Sequence, residues 1–89
     1  MNESWQWAPS DTSHLRDSIA RHRREAADAR RAMRRVAGCP RHVLPGDPVG
    51  ATPFDEDRRY IELGTARIEF ILNHQNGRAY LYAIGPSQG

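Results

Sequence analysis

The stretch over residues 55–86, DEDRRYIELGTARIEFILNHQNGRAYLYAIGP, constrains the fold more than any other, because its side-chain pattern demands a packed surface. Arg59, Ile61 and Leu63 alternate with Tyr60 and Glu62, the period of two that a half-buried strand requires. Gly64-Thr65 turns the chain, and the next run sets Ile68, Phe70 and Leu72 on one face with Arg67, Glu69 and Ile71 on the other. Asn76-Gly77 is a hairpin signal, and Gly85-Pro86 ends a third strand. The register of that hairpin decides which face of the last strand is core. A two-residue turn sets Ala79, Leu81 and Ala83 beside Ile68, Phe70 and Leu72, whereas a three-residue loop ending in a left-handed Gly77 sets Tyr80, Tyr82 and Ile84 there. The second is favoured, since it makes one strongly apolar face and leaves the other small and polar.

Everything upstream reads as material placed against that sheet. Trp5-Gln6-Trp7 alternates apolar and polar side chains, so residues 4–8 are expected to form a short strand ended by Pro9; a loose tail would leave two tryptophans in water. Residues 10–37 read as helical. Ser10, Asp11, Thr12 and Ser13 are all N-cap types, and Leu15, Ile19, His22, Ala26, Ala29, Met33 and Val36 recur at spacings of three and four on one face. Gly38 and Pro40 stop the helix. An unbroken helix over residues 11–37 would be about 40 Å long at 1.5 Å per residue. Two readings stay open: a break near residues 22–25 giving a helical hairpin, and one long helix that pairs in a homodimer through its small residues. Residues 38–57 carry Pro40, Pro45, Pro48 and Pro53 with Gly38, Gly46 and Gly50, and are expected to be a loop tacked down by Val43, Leu44, Val49 and Phe54. The expectation for residues 1–89 is a single α+β domain. Its meander over residues 58–85, a three-stranded antiparallel sheet with the N-terminal strand as a fourth member, packs against the helical segment.

All thirteen basic residues are arginine. Arg16, Arg21, Arg23, Arg24, Arg30, Arg31, Arg34, Arg35 and Arg41 face only Asp17, Glu25 and Asp28 in the same span, so that segment is a positive pole despite a net charge of +2. Mean hydropathy of −0.78 and the clustering of the large apolar residues describe a polar chain that still folds. Cys39 stands alone, so no internal disulfide forms. The opening MNESWQWAPSD lacks a basic leader and an apolar run, and no window is long and apolar enough for a membrane span, which makes the cytoplasm the expected location.

With strand, helical segment, proline-rich loop and meander in this order, the chain resembles the RelE/ParE superfamily of toxins from bacterial toxin-antitoxin systems. SWQWAPSDTSHLRDSI is similar to the family's opening strand and helix, and RRYIELGTARIEFIL and AYLYAIG to its paired and closing strands. The resemblance implies a protein that binds a cognate antitoxin and acts on translation or on a topoisomerase; an active nuclease of this kind cuts mRNA on the ribosome. Arg67, in TARIEF, falls where the family's arginine contacts the phosphate at the cleavage point, with Tyr60 beside it as a second catalytic candidate. The competing reading is a strand-edge arginine paired with Glu62 or Glu69. Where the nucleases carry basic residues this chain has Tyr60, Glu62 and Pro86-Ser87-Gln88, and the family's closing helix with its tyrosine has no counterpart. The fold is thus better supported than the nuclease activity.

Other chemistry is sparse. His14, His22, His42 and His74 have no spacing that forces a pair together, so each reads as a surface histidine. Cys39 and His42 form at most half of a metal site, and neither metal nor cofactor is expected. The candidates for contact with nucleic acid or an acidic protein partner are Arg21, Arg24, Arg31, Arg34, Arg35 and Arg59. A solvated face with local pairing to Glu25 and Asp28 is the plain alternative, and a protein partner is slightly preferred over RNA or DNA.

Overall fold

A computed structural model describes residues 3–8, 11–50 and 56–88, with the backbone alone for 11–15. The expected cap at Ser10, the side chains of Thr12, His14 and Leu15, and the packing of Phe54 lie outside the described residues. The chain is α+β, in the order β1 (Gln6–Trp7), α1 (Asp11–Arg21), α2 (Ala26–Ala37), β2 (Asp47–Pro48), β3 (Asp57–Leu63), β4 (Ala66–Asn73) and β5 (Arg78–Pro86). The sheet is larger than a meander with one added strand. Its order is β1-β5-β4-β3-β2, with β1 parallel to β5 and every other pair antiparallel.

The strands β3 and β4 follow the alternation of the sequence. Gly64-Thr65 pairs Leu63 with Ala66, which fixes Ile61 opposite Ile68 and Arg59 opposite Phe70. Ala66, Ile68, Phe70 and Leu72 are all buried, while the residues between them are half-buried on the other face. The hairpin from β4 to β5 takes neither expected register. Its loop has four residues, 74–77, because the Asn73 carboxamide oxygen accepts the amides of Gln75 (3.0 Å) and Asn76 (3.2 Å), and Gly77 closes it at φ 71°. Ala79 and Leu81 therefore face the core and Tyr80 faces outward. A bulge at Tyr82 then shifts the phase by one residue and returns Ile84 to the core opposite Ile68. The tyrosines are thus kept off the apolar face, where their hydroxyls would need partners.

The helical segment breaks near residues 22–25 into α1 and α2, in place of one unbroken helix. The longest dimension of the molecule is 35 Å, shorter than the roughly 40 Å of an unbroken helix. Residues 22–25 make the turn with tight bonds, His22 N–H to the Ser18 and Ile19 carbonyls and Glu25 N–H to the His22 carbonyl at 3.1 Å. Helix α1 then packs on β5, and α2 on β3, β4 and β1. Ala29, Ala32 and Val36 form the buried stripe of α2, a slight rotation from the expected Ala29, Met33 and Val36. The small alanines let α2 lie close to Ile68 and Phe70.

The segment of residues 3–8 is stitched on both sides. Trp5 N–H bonds the Cys39 carbonyl (3.0 Å) and Arg41 N–H the Glu3 carbonyl (2.9 Å); opposite, Gln6 and Ala8 N–H bond the Gly77 and Ala79 carbonyls. Trp5 is fully buried and donates its indole N–H to the Val43 carbonyl at 3.0 Å, while Trp7 donates to the Met33 carbonyl at 2.9 Å.

The proline-rich segment is more regular than expected. Asp47–Pro48 is a strand at the sheet edge, paired with Tyr60 and Arg59, and Val49 N–H continues the ladder to the Arg58 carbonyl. Proline is tolerated there because an edge strand has one side without a ladder. Gly46 (φ 73°) is required just before it, since a Cβ would meet the Tyr60 carbonyl at 2.5 Å and the Phe70 ring at 3.2 Å.

Candidate functional site

The two catalytic candidates do meet, on the sheet face away from the helices. Glu62 lies directly across from Arg67, and Tyr60 across from Glu69. The Arg67 guanidinium sits 3.9 Å above the Tyr60 ring, 3.0 Å from Glu62 Oε1 and 3.8 Å from Glu69 Oε2. Arg58 repeats the motif, 4.2 Å from the Tyr82 ring and 3.6 Å from the other oxygen of Glu69. Two arginines and two glutamates thus cancel in a cross-strand lattice. The Arg67 hydrogen bond holds the Glu62 carboxyl below the usual carboxylate range against the opposing effect of desolvation; Ser87 Oγ–H at 3.1 Å and the Gln88 N–H add to it. An arginine already shared between two carboxylates has little charge left for a phosphate. Among the described residues no histidine lies on this face to move a proton at neutral pH.

The remaining arginines divide sharply. Arg16, Arg21, Arg23, Arg24, Arg30, Arg31, Arg34 and Arg35, on α1, α2 and the turn between them, are all exposed. At 3.6 residues per turn, Arg30, Arg31 and Arg34 fall on the side away from the buried stripe of α2, and Arg35 falls on its flank. Among the described residues Arg31 is the one of these with an ion pair, to Asp28 at 3.3 Å, an exposed contact that leaves most of its charge available. Arg41 and Arg59 do not belong to this surface. Arg41 stacks on Trp5 (5.2 Å) and donates to the His74 carbonyl at 2.8 Å. Arg59, a candidate for partner contact by sequence, is 9% exposed and gives its donors to the Pro45 carbonyl (2.9 Å), the Gly46 carbonyl (3.0 Å) and Asp57 (3.1 Å). It holds the proline-rich loop on the sheet and is buried, apart from the exposed arginine surface.

Sequence reasoning missed one pair. His74 Nε2 lies 2.7 Å from Asp57 Oδ2, with the ring edge-on to Trp5, beside a depression of about 500 Å³ lined by Glu56, Asp57, Asn73, Gln75 and Tyr80. The signal was present, because the Gly64-Thr65 turn puts Asp57 opposite Leu72 and hence within reach of residue 74. A carboxylate-oriented imidazole is half of a general-base unit. The other half is not in place: the Gln75, Asn76 and Arg78 amides are spent on Asn73 and Asn76 side chains, and the one hydroxyl among the lining residues, that of Tyr80, is a phenol that accepts the Asn76 carboxamide N–H at 3.1 Å. The pair clips the hairpin to β3. Burial pushes the Cys39 thiol up, and among the described residues no cationic side chain is bonded to it, so it is not activated as a catalytic nucleophile. No group of three or more His, Cys, Asp or Glu suited to a metal ion occurs among the described residues, and no helix among them is long and apolar enough to cross a membrane.

No protein-family model, no curated protein and no solved structure matches the chain.

The acid limb of stability follows from two carboxylates. Asp28 accepts the Thr65 N–H (2.8 Å) and hydroxyl (2.9 Å), which hold its carboxyl below the usual range as Arg67 does for Glu62. Both folded pKa values lie below the unfolded ones, so the stabilisation is complete above about pH 4–5 and is lost as pH falls through the folded values. The urea midpoint should drop between pH 6 and pH 3, and drop less in the Asp28→Asn/Glu62→Gln variant. Equal drops in the two proteins would refute the assignment.

Proposed function

We propose that the chain is a RelE/ParE-like toxin-family protein that works by binding, and that the arginine surface of α1 and α2 receives an acidic segment of a cognate antitoxin in the cytoplasm. The observation that carries this reading is the contrast between two sets of arginines. Eight on the helical layer stand in solvent, whereas Arg67 on the sheet is shared between Glu62 and Glu69. The order of strand, helical hairpin and closing antiparallel strands agrees with the order that the resemblance implies, which supports the same reading. An acidic, initially unfolded segment suits such a surface: clustered like charge speeds encounter, and neutralisation removes the self-repulsion that keeps the segment unfolded. Inhibition of translation or of a topoisomerase is the activity that this partner would hold in check. Tyr60 and Arg67 serve the sheet in this reading, and no phosphodiester cleavage is assigned to them.

Produced alone in bacteria, the chain should arrest growth, and co-production of its acidic partner should restore it. The Arg31→Glu/Arg35→Glu variant should still arrest growth but lose the restoration. A wild-type chain that is harmless without a partner would sink the reading, and arrest that vanishes in Arg67→Ala would return the activity to the sheet.

A further inference from the structure

The row of Arg31 and Arg35 on α2 ends at a recess between the C-terminal end of that helix, the edge of β3 and the proline-rich loop. The recess has a volume of about 270 Å³, with Pro45, Gly46, Ile61 and Cys39 in its wall and Arg35 and Asp47 on its rim. It is smaller than the roughly 300–1,000 Å³ of a small-molecule cleft, and of a size to take one large side chain. Its shape is fixed before anything binds, because Arg59 ties the Pro45 and Gly46 carbonyls to the sheet. Beside it, Val43 and Leu44 are 44% and 49% exposed, an apolar step next to the cationic row. Of the rim charges, Glu62 is taken by Arg67 and Ser87, while Arg35 is exposed with no ion pair among the described residues.

We infer that this recess is the anchor point of the acidic partner: an aliphatic side chain of the partner segment enters it, and a carboxylate nearby on the same segment pairs with Arg35. The inference rests on the proposed partner and adds what fixes its register. Charge alone lets an acidic segment slide along the arginine rows, whereas one buried apolar side chain at the end of the row stops it in place. The rim sets the polarity, since Asp47 repels a carboxylate on its side and Arg35 attracts one on the other. A nucleic acid fits the recess less well: it has no aliphatic branch, and one face of the Tyr60 ring is already occupied by Arg67 at 3.9 Å.

The test uses the full chain and two fluorescein-labelled peptides, one of glutamates punctuated by leucines and one with alanine at each leucine. A single-stranded RNA oligonucleotide is the third probe. Anisotropy should give about tenfold or tighter binding of the leucine peptide over the alanine one, the scale that burying one leucine supplies. Arg35→Ala should weaken both, and only the leucine peptide should slow iodoacetamide modification of Cys39. If the two peptides bind equally and Cys39 reacts at the same rate with either, the recess is not used, although the arginine surface still is. If neither peptide binds, or the oligonucleotide alone does, both the anchor and the proposed partner are overturned.

Discussion

Replacing Trp5 by alanine is expected to cost about 3–5 kcal/mol, the range for emptying a large buried aromatic site. Trp5 is the largest of the fully buried side chains, and it touches a helix end, a loop and a hairpin at once. Its backbone N–H holds Cys39 and its indole N–H holds Val43, while His74 and Arg41 lie against its ring. The cavity cannot collapse readily, because those neighbours belong to a helix end, a loop and a hairpin that are each fixed elsewhere. A chain of this size has a total stability of roughly 5–15 kcal/mol, so the loss is a large fraction of it. The urea midpoint should fall by about 2 M at an ordinary denaturant slope. Trp7→Ala should cost less, since Trp7 is only partly buried. A smaller loss at Trp5 than at Trp7 would contradict this account of the core.

Arg59→Met is the second large effect, again about 3–5 kcal/mol, because it removes one partner of a buried charged network. Three acceptors converge on one guanidinium: the Pro45 carbonyl on Nε, the Gly46 carbonyl on Nη2 and Asp57 on Nη1. Without it two loop carbonyls lose their partner and the Asp57 carboxylate keeps only His74. Arg59→Lys should be nearly as damaging, since an ammonium cannot span the three acceptors that the planar fork reaches. The local reporter is the Val49 amide, bonded to the Arg58 carbonyl at 2.9 Å. Its hydrogen exchange should accelerate more than that of the β4 amides in both variants. A lysine variant as stable as the wild type would show that charge alone, without the fork, holds the loop.

These two side chains also mark how far the sequence reaches. Trp5 was legible as part of a strand, because two tryptophans flanking a polar residue have few other uses in a polar chain. Arg59 was legible as being in phase with Ile61 and Leu63, yet an arginine on an apolar face is buried only if carbonyls come to meet it. Those carbonyls belong to Pro45 and Gly46, in a segment whose prolines read as plain loop. For Arg67 the pairing with Glu62 was within reach, since a two-residue turn fixes which residues stand opposite one another. Glu69 was legible as the alternative partner, but that Arg67 takes both glutamates at once and sits on Tyr60 needed side-chain conformations that pattern does not carry.

The sequence by itself determined the α+β class, the alternation of β3 and β4, the exposure of the arginine surface and the N-terminal strand, all of which depend on local periodicity and short turns. Tertiary structure alone decided three further matters. The helical segment breaks at residues 22–25, so that α1 packs on β5 while α2 packs on β3, β4 and β1. The last strand presents Ala79, Leu81 and Ile84 to the core because the Asn73 side chain lengthens the loop and a bulge at Tyr82 resets the phase. And the arginines at 59 and 67, alike in sequence, part ways because burial and cross-strand charge are properties of what folds against a residue, which no window along the chain contains.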